Sequence, residues 1–218
     1  MEYIVLLKNL NADERMKLFP ENIDPNKNYL PFDGIVNYYG QIMNFEKGRE
    51  FMDYLLNEIP WEHDETHIFG KHIITKRKVA WYADGNYPYH YSNTTKIPLS
   101  WTPELFAIKA LAEEKAGIRF NSCLLNLYHN GDEGMGWHTD DEKTLVQDSP
   151  IASLSFGAER RFDLRHIKSK EKVQLVLESG SLLVMKGTTQ KHWHHALPKT
   201  KKVKTPRVNL TFRCMETG

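Results

Sequence analysis

The sequence has little cysteine, no long apolar run and almost no net charge. Its two cysteines among 218 residues, Cys123 and Cys214, are too few for a disulfide scaffold, and we predict both to be buried thiols of an intracellular protein. No apolar stretch approaches ~20 residues, so no membrane-spanning helix is predicted. The N-terminal segment M-E-Y-I-V-L-L-K is too short for a signal peptide and carries an acid. A net charge of +1 does not exclude a nucleic-acid partner, because the clustering of cations determines the local potential.

Length and pattern predict one domain whose second half is rich in strands. With 218 residues, 40% of them hydrophobic, the chain is long enough for a substantial core. Apolar residues at helical spacing predict a helix over Lys47–Ile59, and a second helix begins at Thr102-Pro103 and ends at Gly117. The predicted strands are Ile35–Met43, Ser122–Tyr128, Ile151–Phe156, Arg161–Arg165, Lys172–Leu177, Ser181–Met185 and Arg207–Arg213. Short strands at this spacing predict a mainly β fold with flanking helices, a double-stranded β-helix or jelly roll.

A glycine-containing loop ends in two residues that could bind a metal together. The stretch N-L-Y-H-N-G-D-E-G-M-G-W-H-T-D runs from Asn126 to Asp140. In an extended segment residues i and i+2 point to one face, so His138 and Asp140 can present a nitrogen and an oxygen to the same point. Imidazole and carboxylate at this spacing are two thirds of the facial triad that holds a reactive iron(II). Taken alone, the pattern more often marks two polar residues in a turn.

Candidates for a third ligand follow a later strand. The run His192-Trp193-His194-His195 comes shortly after the segment Val184–Gly187. Three histidines compete for the role, and spacing alone does not choose among them.

The last predicted strand, R-V-N-L-T-F-R, carries two arginines on one face. Arg207 and Arg213 are six residues apart, an even number, so they share a face with Asn209 and Thr211. Buried arginines are unusual without an anionic partner, and a guanidinium fork fits a carboxylate well. The pattern therefore indicates a small acid bound beside the metal. The alternative is that the arginines form ion pairs with acids of the protein itself, which explains one buried arginine better than two.

The segment from Ile68 to Ser92 combines basic and aromatic side chains. Cations can contact phosphates and aromatic faces can stack on bases, so the composition is typical of a nucleic-acid surface. A β-hairpin with aromatic packing and a charged outer face would show the same pattern, and the sequence does not separate the two. The preceding residues 63–67, which include two histidines and two acids, are predicted to form a solvated loop rather than a metal site.

From about Ile35 to Arg213 the chain resembles the AlkB-type iron(II)/2-oxoglutarate dioxygenases. The resemblance rests on N-x-Y followed by H-x-D, on His-Ala-Leu-Pro at 195–198, and on R-x-N-L-T-F-R at 207–213. It implies Fe(II), 2-oxoglutarate as a co-substrate and O2, with iron on His138, Asp140 and His195. It also implies an N-terminal lead-in at 1–33, a nucleotide-recognition lid with supporting helices at 34–121, and a jelly-roll catalytic core at 122–218. The implied 2-oxoglutarate contacts are Asn126, Tyr128, Asn209, Arg207, Thr211 and Arg213.

Within that family the chain is similar to the branch that repairs duplex DNA. The finger motif of that branch, I/V-F-G-K, occurs at residues 68–71, which implies that Phe69, with Ile68, fills the gap left by an extruded base. The flipped base would lie between Tyr91 and His195, and Asp141 would read its edge. The further substrate contacts that the resemblance implies are Gly70, Lys71, Arg77, Tyr89 and Glu142.

The resemblance implies an Fe(II)/2-oxoglutarate-dependent DNA oxidative demethylase. Its substrates would be N-alkylated bases such as 1-methyladenine and 3-methylcytosine in DNA, including duplex DNA, and the alkyl group would leave as an aldehyde while 2-oxoglutarate becomes succinate and CO2. A base alkylated on its pairing edge has lost hydrogen bonds and is therefore easier to extrude. We expect a monomer with no membrane partner, in the cytoplasm or nucleoid of a prokaryote or the nucleus of a eukaryote.

Three alternatives remain open at this stage. An enzyme of the same family could act on RNA or on single strands, since the loop at Lys168–Glu171 is short for a grip on the opposite strand. A zinc hydrolase could use the same two histidines and carboxylate, although it gives no reason for Arg207 and Arg213. A non-catalytic nucleic-acid-binding barrel is the third.

Overall fold

The computed structural model describes residues 23–68, 71–85, 89–91 and 94–216, which fold into two antiparallel sheets with helices on one side. The strands are β1 (Ile35–Gln41), β2 (Glu62–Ile68), β3 (Lys71–Ala83), β4 (Tyr89–Tyr91), β5 (Thr94–Lys96), β6 (Ser122–Tyr128), β7 (Met135–His138), β8 (Ile151–Gly157), β9 (Arg160–His166), β10 (Lys172–Leu177), β11 (Ser181–Lys186), β12 (Trp193–Leu197) and β13 (Arg207–Arg213). The helices are α1 (Phe45–Asn57), α2 (Pro103–Ala116) and α3 (Thr189–His192).

The larger sheet has seven strands in the order β1-β11-β8-β13-β6-β3-β2, and the smaller one has four in the order β10-β9-β12-β7. Strands β4 and β5 form a separate hairpin. All of the strand pairs within the two sheets are antiparallel, and most neighbours are distant in sequence. This arrangement is the predicted jelly roll.

Strand β13 lies in the middle of the larger sheet and separates two environments. Its apolar side chains Val208, Leu210 and Phe212 are fully buried in the core formed with α1 and α2. Its polar face, from Arg207 to Arg213, lines a cavity between the sheets. A second apolar core, which includes Trp193, fills the rest of the space between the sheets. The alternation predicted for this strand therefore places its arginines inside the jelly roll.

The helix ends follow from local signals. Helix α2 has the predicted bounds: the Thr102 side chain accepts from the backbone N–H of Leu105, Pro103 occupies the first turn, and Gly117 ends the helix at φ +71°. Helix α1 begins two residues before the predicted Lys47, because the Asn44 side chain caps it. No helix among the described residues combines the length and apolar character needed to cross a bilayer.

The predicted strands of the second half are confirmed. Three of them have the predicted bounds, and the other three are one residue longer at one or both ends. Two short strands were not predicted: β7, which ends at His138, and β12, which contains His195. The prediction of a solvated loop at 63–67 is wrong, since these residues belong to β2 and Asp64 is buried.

Candidate active site

Neighbouring strands of the smaller sheet bring the three predicted metal ligands together. His138 and His195 are directly opposite each other in the pairing of β7 with β12, and their ring centroids are 4.1 Å apart. Asp140 follows two residues after His138, and its Oδ1 lies 3.7 Å from Nε2 of His138 and 3.9 Å from Nε2 of His195. One donor atom from each residue lies within 4.8 Å of the others. Register, which the sequence could not show, thus singles out His195 among the three clustered histidines.

Close backbone packing fixes the loop that leads to this cluster. A Cβ at Gly131 or Gly134 would collide with a backbone carbonyl, that of Thr200 or Leu197, so only glycine fits. Arg160, which is almost fully buried, donates from Nη2 to the carbonyls of Glu133 and Pro198, each at 2.8 Å. The loop is thereby attached to the segment that follows His195.

The hydrogen bond of His138 and the pKa values of His195 and Asp140 suit metal binding. Nδ1 of His138 lies 2.9 Å from the carbonyl of Gly136, and donation to that carbonyl leaves the Nε2 lone pair free for a metal. Burial, followed by the nearby His138, lowers the pKa of His195 to about 3, so its imidazole is neutral at pH 7. Burial alone would raise the pKa of Asp140, but Arg213 and the two histidines together lower it to about 2. Asp140 is therefore a carboxylate.

Two further side chains hold Asp140. Arg213 donates from Nη2 to its Oδ2 at 2.9 Å in a pair that is almost fully buried. The backbone N–H of Asp140 donates to Oε1 of Gln190 at 2.9 Å, and Nε2 of Gln190 contacts the sulfur of Met185 at 3.3 Å. Gln190 was not among the predicted site residues. It lies in a four-residue helix, and no local sequence pattern shows that its side chain reaches Asp140.

Arg207, at the other end of the polar face of β13, has a different environment. It is 2% exposed, donates to the Ser155 hydroxyl at 2.9 Å and lies over the ring of Tyr128 at 5.6 Å. No carboxylate forms an ion pair with it among the residues that the structure describes, and burial lowers its pKa to about 10. Its Nε atom and the Oδ1 atom of Asn126 are buried and have no hydrogen-bond partner among the residues that the structure describes. Such a group is suited to a small anionic ligand.

All of the predicted 2-oxoglutarate contacts line one cavity together with the three candidate metal ligands. They are Asn126, Tyr128, Arg207, Asn209, Thr211 and Arg213. Asn209 points its amide at the hydroxyl of Ser153 and the carbonyl of Leu154, both at 3.0 Å. The cavity therefore contains both a candidate metal site and a candidate anion site.

Of the predicted substrate contacts whose side chains are described, two line the cavity and one does not. Arg77 and Glu142 line the cavity, whereas Asp141 is exposed and is not part of its lining. Arg77 is buried in an ion pair with Asp64, a residue that the sequence did not single out. The predicted residues Phe69 and Gly70, and the side chains of Lys71, Tyr89 and Tyr91, lie outside the described residues.

A second cluster, formed by Asp33, His166 and His192, also has donor atoms within 4.8 Å of one another. Here the backbone N–H of Ser169 donates to Nδ1 of His166 at 3.0 Å. Nε2 of His166 lies 3.3 Å from Oδ2 of Asp33 but makes no hydrogen bond among the described residues. None of these three residues lines the cavity of His138, Asp140 and His195.

Comparison with known proteins agrees with this combination of fold and site. Residues 34–213 match the family described as the 2OG-Fe(II) oxygenase superfamily, and the chain belongs to this family. The family name implies iron(II) and 2-oxoglutarate, and the donor set of the cavity is chemically suited to both. The predicted resemblance to AlkB-type enzymes is also confirmed, since AlkB homologues are among the similar proteins.

Curated relatives extend over most of this chain. The human "DNA oxidative demethylase ALKBH2" is 45% identical over 154 residues, which cover 67% of this chain and 59% of the relative. The human "Alpha-ketoglutarate-dependent dioxygenase alkB homolog 3" is 39% identical over 188 residues, covering 80% of this chain and 64% of that protein. The chain thus spans about three fifths of the length of these relatives. The structure of OsALKBH1 matches with a TM-score of 0.57 at 16% identity, covering 85% of this chain and 98% of that one, and supports the fold alone.

Proposed function

We propose that the protein is an Fe(II)/2-oxoglutarate-dependent dioxygenase that removes alkyl groups from N-alkylated bases in DNA, including duplex DNA. The observation that carries the proposal is a single cavity lined by a two-histidine, one-carboxylate cluster and by a buried arginine that has no carboxylate partner among the described residues. The two human relatives support the substrate class through their names, DNA oxidative demethylase and alkB homolog 3. The comparisons favour neither a hydrolase nor a non-catalytic barrel.

In this proposal His138, Asp140 and His195 hold the metal. Bound iron(II), with 2-oxoglutarate and dioxygen, supplies the oxidation of an N-methyl C–H bond, which acid–base catalysis cannot cleave. The protein keeps Asp140 in place through Arg213 and Gln190.

Arg207 would bind a carboxylate of 2-oxoglutarate. Its guanidinium is buried, its Nε has no hydrogen-bond partner, and Ser155 orients its Nη2. Asn126, with its unpartnered Oδ1, and Tyr128 would line the same subsite. Arg213 contributes less to this subsite, because its charge is already balanced by Asp140.

The alkylated base would enter the cavity beside Arg77 and Glu142. Phe69 would fill the gap that the extruded base leaves in the duplex. Extrusion of a normal base costs a few kcal/mol and is easiest for a base that no longer pairs.

The test is the release of formaldehyde and succinate with iron(II), 2-oxoglutarate and oligonucleotides that carry 1-methyladenine, as single strand and as duplex. We expect turnover on both substrates. In Phe69→Ala we expect turnover to be lost on the duplex and retained on the single strand. Phe45→Ala is the matched control, since Phe45 is a 75% exposed phenylalanine of α1. Consumption of 2-oxoglutarate without demethylation of either form would contradict the substrate class but not the oxygenase assignment.

A further inference from the structure

The cavity wall contains an ion pair whose acid has no role in the proposed function. Asp64 of β2 and Arg77 of β3 are 3% and 8% exposed, and the guanidinium of Arg77 donates a hydrogen bond to the carboxylate of Asp64. Arg77 also donates from Nη1 to the sulfur of Met135, 3.6 Å away, on the strand that ends at His138. All three side chains line the same cavity as the candidate metal ligands.

An irregularity in the pairing of β2 with β3 brings Asp64 and Arg77 together: three residues of β3, Thr75 to Arg77, lie opposite the single residue Asp64. The pairing of β2 with β3 joins His63 to Lys78 and then Glu65 to Ile74, so the register shifts across Asp64. Such a bulge re-aims one side chain, and bulges occur frequently beside active sites. It places a buried carboxylate on a strand whose neighbouring residues 62 and 63 are exposed.

Three arginines line the cavity, and they differ in how their charge is balanced. Arg213 is paired with Asp140 and Arg77 with Asp64, whereas no carboxylate forms an ion pair with Arg207 in the described part of the chain. Arg207 therefore favours an anionic ligand nearby. At Arg77 the wall contains the guanidinium together with the carboxylate of Asp64, and this pair disfavours a cationic ligand less than the guanidinium alone would.

The alkylated bases fall into two charge classes. Alkylation of adenine at N1 or of cytosine at N3 gives a base that is cationic at neutral pH. Alkylation of thymine at N3 or of guanine at N1 replaces a proton and leaves a neutral base. An unbalanced guanidinium in a poorly solvated wall would repel the first class and not the second.

We propose that Asp64 is a specificity-determining positioning residue: by neutralising and orienting Arg77 in the cavity wall, it allows the cavity to accept cationic alkylated bases. This inference rests on the proposed function, and it concerns the preference among lesions rather than the oxidation itself. Asp64 acts through Arg77 and does not need to touch the base.

The experiment compares kcat/KM for one oligonucleotide sequence carrying either 3-methylcytosine, a cation, or 3-methylthymine, its neutral counterpart. In Asp64→Asn the amide keeps the shape of the side chain and removes its charge. We expect the ratio of kcat/KM for 3-methylcytosine to kcat/KM for 3-methylthymine to fall on the order of tenfold. This is the effect expected of one unit charge about 10 Å away in a partly screened site. A purely structural role of Asp64 would lower both activities equally.

Two further variants complete the experiment. Asp64→Asn combined with Arg77→Gln removes both charges, and we expect it to restore the ratio towards the wild-type value even if overall activity stays low. Asp53→Asn, an exposed carboxylate-to-amide change on α1, is the matched control and should leave the ratio unchanged. Thermal unfolding of each variant identifies any loss of folded protein.

The outcomes separate this inference from the function on which it rests. If the wild type releases formaldehyde but Asp64→Asn keeps the wild-type ratio, or the double variant fails to restore it, the role of Asp64 is disproved and the demethylase function stands. If the wild type acts on neither oligonucleotide, the proposed function fails and the inference fails with it.

Discussion

The two ends of strand β13 carry the same residue type in opposite electrostatic environments. Arg213 is buried against the carboxylate of Asp140 at 2.9 Å, while the equally buried Arg207 has, among the described residues, a hydroxyl and an aromatic ring as its partners. In a buried ion pair the two charges balance each other. A buried guanidinium without a counterion is unfavourable, and an anionic ligand supplies the missing charge. The difference supports our proposal that Arg213 organises the candidate metal ligand Asp140 and that Arg207 binds the co-substrate.

The largest effect is expected from removing the charge that balances Arg213. In Asp140→Asn the buried guanidinium loses its counterion, and breaking such a pair costs about 3–5 kcal/mol. We expect the free energy of unfolding of the metal-free protein in urea to fall by roughly this amount, and iron(II) binding to be lost. Asp148→Asn is the control, because its ion pair with Lys191 lies at the surface, where a pair contributes about 0–1 kcal/mol. Equal losses in the two variants would contradict the comparison.

The opposite result is expected at Arg207. Arg207→Met removes a buried charge that has no carboxylate partner in the described part of the chain, so the unfolding free energy without ligand should stay the same or rise. The stabilisation by 2-oxoglutarate, about 2.7 kcal/mol at a hundredfold excess over Kd, should disappear from thermal unfolding curves. The control Arg49→Met, on the exposed face of α1, should keep the stabilisation by 2-oxoglutarate. A variant that is strongly destabilised but still binds 2-oxoglutarate would show that Arg207 has a structural role only.

A smaller effect is expected from the second partner of Asp140. Gln190→Ala removes the acceptor of the Asp140 backbone N–H but leaves the pair with Arg213 intact. Residues that orient metal ligands in this way contribute about 10–100-fold to affinity, and we expect about tenfold weaker iron(II) binding in an anaerobic titration. Gln147→Ala, an exposed glutamine, should bind iron like the wild type. Unchanged affinity in Gln190→Ala would mean that Arg213 alone holds Asp140.

The smallest effect concerns the orientation of Arg207. Ser155→Ala removes the hydroxyl that accepts from its Nη2, and one hydrogen bond contributes about 1 kcal/mol. We therefore expect the Kd for 2-oxoglutarate to rise roughly fivefold. Ser153→Ala, on the same strand, removes a hydroxyl that accepts from Asn209 instead and provides the comparison. If both variants weaken binding equally, Ser155 has no special role in orienting the guanidinium.

Residues on the same strand were placed correctly because strand alternation has a fixed period of two. Arg207, Asn209, Thr211 and Arg213 share a face for this reason, and the polar face follows from the sequence alone. Helix α2 was predicted with its bounds because its cap, its proline and its terminal glycine are all local signals. Helix α1 was displaced by two residues because Asn44 was not recognised as a cap.

Contacts between distant segments could not be predicted. Asp64 was placed in a loop because an acidic, histidine-containing segment has the composition of an exposed turn, and a bulge has no sequence signature of its own. Gln190 approaches Asp140 only because α3 packs beside β12, the strand that pairs with β7. Metal ligation by His138, Asp140 and His195, and the substrate roles of Phe69, Tyr91 and Asp141, remain predictions.

The sequence by itself determined which residue types the protein has for its chemistry: an H-x-D pair, a later histidine cluster and a strand with two arginines on one face. Only the tertiary structure decided which histidine completes the cluster and which arginine lacks a counterion. The physical reason is that alternation along one strand is a local property of the backbone, whereas register and charge neutralisation depend on partners that lie 57 residues away for His138 and His195 and 73 for Asp140 and Arg213.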